Sequence, residues 1–495
     1  MSAGNQARII SRRGFLSLAG KMTALVASGS LVAACGTAAA PGATPASEAK
    51  PTSAPTATKP TEVKLEPTTA PSQPTPAPAK EKVTLTFWQQ ETYPKEVDEI
   101  RALDADFEKE TGVHIEMTVV DWAEAVAKYT SAYKAGTGPD IGLPCMQWEK
   151  TWWQAGWLIP VDDVIKKMSE KYTWVKSAVD SQWWDGHYIG VPWCSQVESM
   201  LWYRKDWFDK ESIKVPQTST EFVEALKHFT GGGRYGWAGT FNAQETTTDR
   251  AAWQCISMFG GDWFDKDNNV IIDAPEAVKG LQFYADIVLK LNAAPPGAAN
   301  WGYAEETRAF ATGKTAMGAL NGWMIPPVFD LGKDIADCDH VMNALWPSDV
   351  QPPHWTNLTC PITLSRTCKH PDEAKNYAYW LQLPPQQLRW RKSTPGNTDM
   401  PVLEEVFKMD PMYEECWSMV HADGLRRGSP MGSRSGDWLG TGMVMAEHYL
   451  GNAVQAVLAG GDTAEELKKC RAKLQDARQK LGYVNNKPPS AGYRG

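Results

Sequence analysis

Several stretches of this chain carry residue types known for chemistry, at nearly the right spacing. Gly313-Lys314-Thr315 matches the tail of a phosphate-binding loop. Such a loop needs a glycine five residues before its Gly-Lys pair, and Arg308 stands there. Gly231, Gly233 and Gly236 spell GxGxxG but follow a helical pattern instead of a strand, so they read as a connecting loop. Gly432-Ser433-Arg434-Ser435-Gly436 has the glycines of a nucleophile elbow around an arginine, which is no nucleophile. HExxH, GxSxG and CxxC motifs are absent, and the eight His show no metal spacing. Asp and Glu are plentiful, and a glycoside hydrolase needs only two of them close in space, but no pair stands out. The reading is therefore of a chain with no catalytic residues, no metal and no cofactor.

What remains is chemistry of recognition. The chain has 23 Trp against 13 Phe and 15 Tyr, a surplus that large cores or an aromatic ligand surface could absorb. A sugar offers C–H groups on its faces and hydroxyls around its edge; aromatic rings stack on the first, carboxylates and amides bind the second. The net charge of −8, with no long basic run, speaks against nucleic acid as a partner. At 495 residues the chain exceeds one core and should form at least two domains.

The elements that must position such groups alternate along the sequence. Val83 to Trp88 alternates as a strand, and a helix follows from Lys95 to Glu110, with Val97, Ile100, Leu103 and Phe107 on one face and Gly112 closing it. A strand (113–120), a helix (123–135) and Gly138-Pro139-Asp140-Ile141 come next. Strands alternating with helices imply mostly parallel sheets covered on both faces. Thr218 and Glu221 form a capping box ahead of a helix carrying Phe222, Leu226 and Phe229. Further helices are expected at 276–291, capped by Asp273-Ala274-Pro275, from His370 to Leu383, and at 463–481 with Glu466 as box partner. Between Glu305 and Met324 a helix end, a cap at Gly313, a short buried strand (Thr315 to Leu320) and the turn Asn321-Gly322-Trp323 succeed one another. The turn sets a large aromatic at the C-terminal edge of a strand, where ligands of open α/β sheets sit.

That stretch, with Gly138-Pro139-Asp140-Ile141, Gly156 to Asp162, Asp185 to Pro192 and His370 to Ala374 in this order, resembles family 1 of the extracellular solute-binding proteins of ABC importers, the group of maltose-binding protein. The resemblance covers about 83–481. It implies an α/β, two-lobed periplasmic-binding-protein-like fold of type II, each lobe a mostly parallel sheet flanked by helices and the two hinged by crossing strands. The lobes are expected at 82–193 with 351–391, and at 194–350 with 392–482, leaving 483–495 as a flexible tail. Carried over by position, the resemblance implies ligand contacts from Gln90, Glu91, Gln147, Trp148, Trp193, Gln244, Glu245, Asn321, Trp323 and Trp438, with Gln196 weaker because an extra residue precedes it. The implied partners are a carbohydrate ligand and the transmembrane subunits of an ABC permease, served by a monomer. A quaternary ammonium or other non-sugar solute is the alternative ligand, and an interaction scaffold or a secreted glycoside hydrolase the alternative class.

The start of the chain is read as an address. Ser11-Arg12-Arg13-Gly14-Phe15-Leu16 looks like a twin-arginine export signal, and Val32-Ala33-Ala34-Cys35 resembles a lipoprotein processing site. Residues 1–35 are then a signal, Cys35 the lipidated anchor to the outer face of the membrane, and the Ala/Pro/Thr-rich 36–81 a disordered tether. Eight Cys remain beyond Cys35; Cys360 and Cys368 are the nearest in sequence and could close a small loop, while buried free thiols fit equally well.

Overall fold

The computed structural model describes residues 82–145, 148–319, 330–393, 399–430 and 447–488, with 440, 442 and 444. The readings placed on 1–81, including the signal, the tether and Cys35, lie outside the described residues.

Two sheets organise the described chain. In the first, β1 (Thr84–Gln89) lies between β2 (His114–Val119) and β3 (Ile141–Gly142), parallel to both. The helix Pro94–Thr111 joins β1 to β2, ending on Gly112 at φ 77°. The helix Trp122–Ala135 joins β2 to β3. This is the right-handed logic of parallel strands, which need a helix to return the chain. Beyond β3, β11 (Thr356–Leu364) runs antiparallel and pairs on with β6 (Val191–Val197), antiparallel, and β12 (Ser429–Pro430), parallel. Leu85, Phe87, Ile100, Leu103, Phe107 and Ile362 fill its core.

In the second sheet the order is β10 (Val341–Leu345), β7 (Met200–Arg204), β9 (Thr315–Gly318), β8 (Tyr235–Ala238). Only β8 and β9 run parallel, joined through helices that include Thr246–Met258, Pro275–Leu289 and Tyr303–Ala311. All antiparallel pairs of both sheets involve β6, β7, β10 or β11, the strands that carry the chain across. The first passage falls at 198–199, between β6 and β7, because β6 keeps its ladder to β11 as far as Val197 instead of leaving at Pro192–Trp193. The second passage is 346–355. After it, residues 399–430 stay with the first sheet, through β12 and a core in which Met400, Val402 and Leu425 meet Met168 and Val197. The helices Tyr449–Leu458 and Thr463–Lys480 belong to the second core. A short hairpin, β4 (Trp183–Trp184) with β5 (His187–Tyr188), stands apart.

Local details follow side-chain chemistry. The Thr218–Glu221 box is formed. The last helix is capped by Asp462, whose Oδ1 accepts from the Glu465 N–H; Thr463, read as the start, bonds Gln282 instead. Asp273 caps nothing and holds Arg471, leaving Pro275 at the helix start to do without one of the free N–H groups. Gly231 and Gly233 have positive φ in the turn into β8, as a connecting loop requires. Cys360 pairs with Cys145, 215 residues away, and Cys338 with Cys416; Cys368 stays free, so the short 360–368 loop is not closed. Of the Trp surplus, Trp152, Trp153, Trp202, Trp237, Trp253, Trp263 and Trp390 are fully buried, which assigns much of it to the cores. No helix among the described residues is long and apolar enough to cross a membrane.

Candidate binding cleft

A cavity of about 380 Å³ opens between the two sheets. Its first wall is Thr92, Trp122, Cys145, Gln196 and Leu358; its second is Glu245, Thr246, Thr247, Arg250 and Tyr303. The topology accounts for this choice. Thr92 follows the C-terminal end of β1, Trp122 that of β2, Cys145 that of β3, and Glu245 lies in the loop after β8. Parallel strands leave their carboxyl ends on one edge, and there the loops converge.

The second wall is polar and tightly braced. Glu245 is the N-cap residue of Thr246–Met258, yet its carboxylate makes no capping bond. It lies against Gly302, where a Cβ would stand 2.3 Å from Oε1, so a side chain there would displace the acid from this position. Arg250, one turn into the helix, donates from Nη1 to Glu198 Oε2 at 2.7 Å. Glu198 is the first residue of the passage between sheets, and its carbonyl also accepts from the Gln254 amide. Behind this pair lies a void of about 10 Å³, lined by Glu198, Gln254, Tyr303 and Glu306 among others. Burial pushes the Glu306 carboxyl well up, against the opposing pull of Arg250. The first wall presents Trp122, supported edge-on by Trp148 at 6.2 Å, which in turn leans on Trp152 at 6.4 Å.

The sequence-derived residues divide on inspection. Glu245 lines the cavity, and Trp148 stands behind its aromatic wall. Gln90 and Glu91 are turned inward and buried; the Gln90 amide faces the Tyr129 hydroxyl. Trp193 is a core residue, 2 % exposed and packed at 4.6 Å on Trp390, because β6 is buried along its whole length. Gln244 is exposed and outside the lining, while Gln196 reaches the cavity. Gln147, Asn321, Trp323 and Trp438 lie outside the described residues. Trp122, Arg250 and Tyr303 were not anticipated. Arg250 and Asp249 are the charged residues of the helix that follows the loop acid Glu245, a weak signal for Arg250; none existed for Trp122 beyond its place after β2.

The sequence pattern of the bacterial extracellular solute-binding proteins matches residues 89–388. The chain belongs to that family. Among curated relatives of this solute-binding protein, a fructooligosaccharide ABC transporter substrate-binding protein of Streptococcus pneumoniae is 30 % identical over 240 residues, 43 % of this chain and 38 % of the relative. The maltotriose-binding protein of Pyrococcus abyssi is 24 % identical over 318 residues, 61 % and 64 % respectively. The chain thus spans less than two thirds of the length of either. In fold it is similar to a Thermotoga lettingae ABC transporter solute-binding protein solved with α-D-tagatose, at a TM-score of 0.68 and 20 % identity, over 80 % of this chain and 99 % of that one.

For a solute-binding protein the cleft chemistry is direct. The lining offers an aromatic face at Trp122, an acceptor at Glu245 and donor groups at Arg250, Thr246, Thr247 and Tyr303. Glu198 holds one arm of Arg250 and so fixes the direction of its guanidinium.

Proposed function

We propose that this chain captures a sugar or oligosaccharide between two lobes outside the cytoplasm and hands it to the transmembrane subunits of an ABC permease, without catalysis. The observation that carries the reading is the cavity with an aromatic wall at Trp122 and a hydroxyl-binding wall at Glu245, Arg250 and Tyr303. The names of the relatives, two of them oligosaccharide binders, point the same way. The lobes are the two sheets with their helices, hinged at 198–199 and 346–355; a ligand touching both walls selects the closed form. Trp323 and Trp438 remain further stacking positions in this proposal, and Cys35 remains its lipid anchor, with the protein acting as a monomer. A quaternary ammonium ligand is the less favoured reading, because the named relatives bind oligosaccharides.

The test is a thermal-shift screen of the protein against mono- and oligosaccharides, with choline and glycine betaine alongside. A ligand at a hundred times its dissociation constant stabilises by about 2.7 kcal/mol. A rise in Tm with one class of sugar is the expected result; a rise with the ammonium compounds alone overturns the sugar reading.

A further inference from the structure

Directly beneath the cleft lies a mixed set of buried donors that sugar capture does not use. Glu91 follows β1, Cys194 sits in β6, and Asp399 adjoins Met400, which is bridged to Ser195. One carboxylate oxygen from each acid and the Cys194 sulfur lie within 4.8 Å of one another. All three residues are at most 3 % exposed. Glu91 Oε2 and Asp399 Oδ2 have no hydrogen-bond partner, a costly condition for buried acids. Asp399 Oδ1 does have one: the Gln196 amide donates to it at 2.5 Å, which fixes the carboxylate as a supporting residue fixes a metal ligand.

An arginine borders the site. Arg391 is buried beside both acids, with one nitrogen engaged by the Trp193 carbonyl and Gln387.

We propose that Glu91, Cys194 and Asp399 bind one divalent transition-metal ion of the zinc class, with water as the fourth ligand. A thiolate beside two carboxylates suits such an ion better than magnesium or calcium, which take oxygen donors alone. Bonds of about 2.0–2.3 Å put neighbouring donors of a tetrahedral site about 3.3–3.8 Å apart, so the observed spread closes by side-chain movement of roughly 1 Å. Binding forms one metal–sulfur and two metal–oxygen bonds and releases to water the thiol proton and the proton shared by the acid pair, with no change in oxidation state. The ion would pin the end of β1, strand β6 and residue 399 together, and through Gln196 it would hold part of the cleft wall.

The full chain, stripped with a chelator, is titrated with Co²⁺ and then Zn²⁺. The site predicts one Co²⁺ per chain with a thiolate-to-cobalt charge-transfer band, displacement by Zn²⁺, and a Zn²⁺-dependent rise in Tm. Cys194→Ser should lose the band, and Asp399→Asn should weaken Zn²⁺ binding more than about a hundredfold, each with an unchanged circular dichroism spectrum. Should Cys194→Ser fail to fold, Cys194→Ala and Asp399→Asn carry the same test. Absence of saturable one-to-one binding, or a band that survives loss of Cys194, overturns the proposal and leaves a proton-sharing acid pair. Neither outcome depends on which solute the cleft takes.

Discussion

Asp104 shows how one buried group can set the pH response of a fold. It faces Tyr377, whose hydroxyl donates to Oδ1, and burial pushes its carboxyl up to about 7 despite that bond and the nearby His114 and Arg101. The unfolded value is about 3.9, so the native state holds the proton where the unfolded chain has lost it. Stability from this group is full below the unfolded value and is lost as pH rises towards 7. Asp104→Asn keeps an acceptor for Tyr377 and needs no proton. Its Tm should fall less than the wild type's between pH 4 and 8, and it should be the more stable protein at pH 8; parallel profiles would contradict the assignment. At this scale the sequence was only partly legible. Glu245 was placed by the family resemblance and lines the cavity, whereas Glu91 and Trp193 turned inward, because a strand end or crossing strand does not tell which face a side chain takes. Arg250 became meaningful only when Glu198, 52 positions earlier, was seen to hold it.

Helices show more of themselves in sequence than their partners do. The apolar stripe of Pro94–Thr111 and the box at Thr218 were readable because both depend on residues within two turns. Thr218→Ala should cost about 1 kcal/mol in chemical denaturation through the lost cap. The close approach of Thr246–Met258 to Pro275–Leu289 was not readable. It depends on Gly280, where a Cβ would stand 2.3 Å from the Ile256 Cα. Gly280→Ala should therefore destabilise the protein by about 1–3 kcal/mol through overpacking, although alanine is the better helix former. A neutral or stabilising result would mean that the two helices separate easily. The extent of the first crossing strand was not readable either, since β6 mixes Trp193 and Cys194 with Ser195 and Gln196 although it is buried throughout, and only its ladder to β11 shows where it ends.

For the whole molecule, alternation of strands and helices gave the α/β architecture, because parallel strands require it. The disulfides could not be read, since Cys145 and Cys360 come together only when β3 and β11 pair. The central claim is also at this scale: solute is held by both walls of one cleft, each carried by a different sheet. The most direct measurement is calorimetric titration of the stabilising sugar into wild type, Trp122→Ala and Arg250→Ala. The account predicts that each truncation alone weakens binding by about 2 kcal/mol or more, since one wall lacks the stacking face and the other its hydroxyl donors. Wild-type affinity in either variant, with its fold intact, would contradict capture between the two walls.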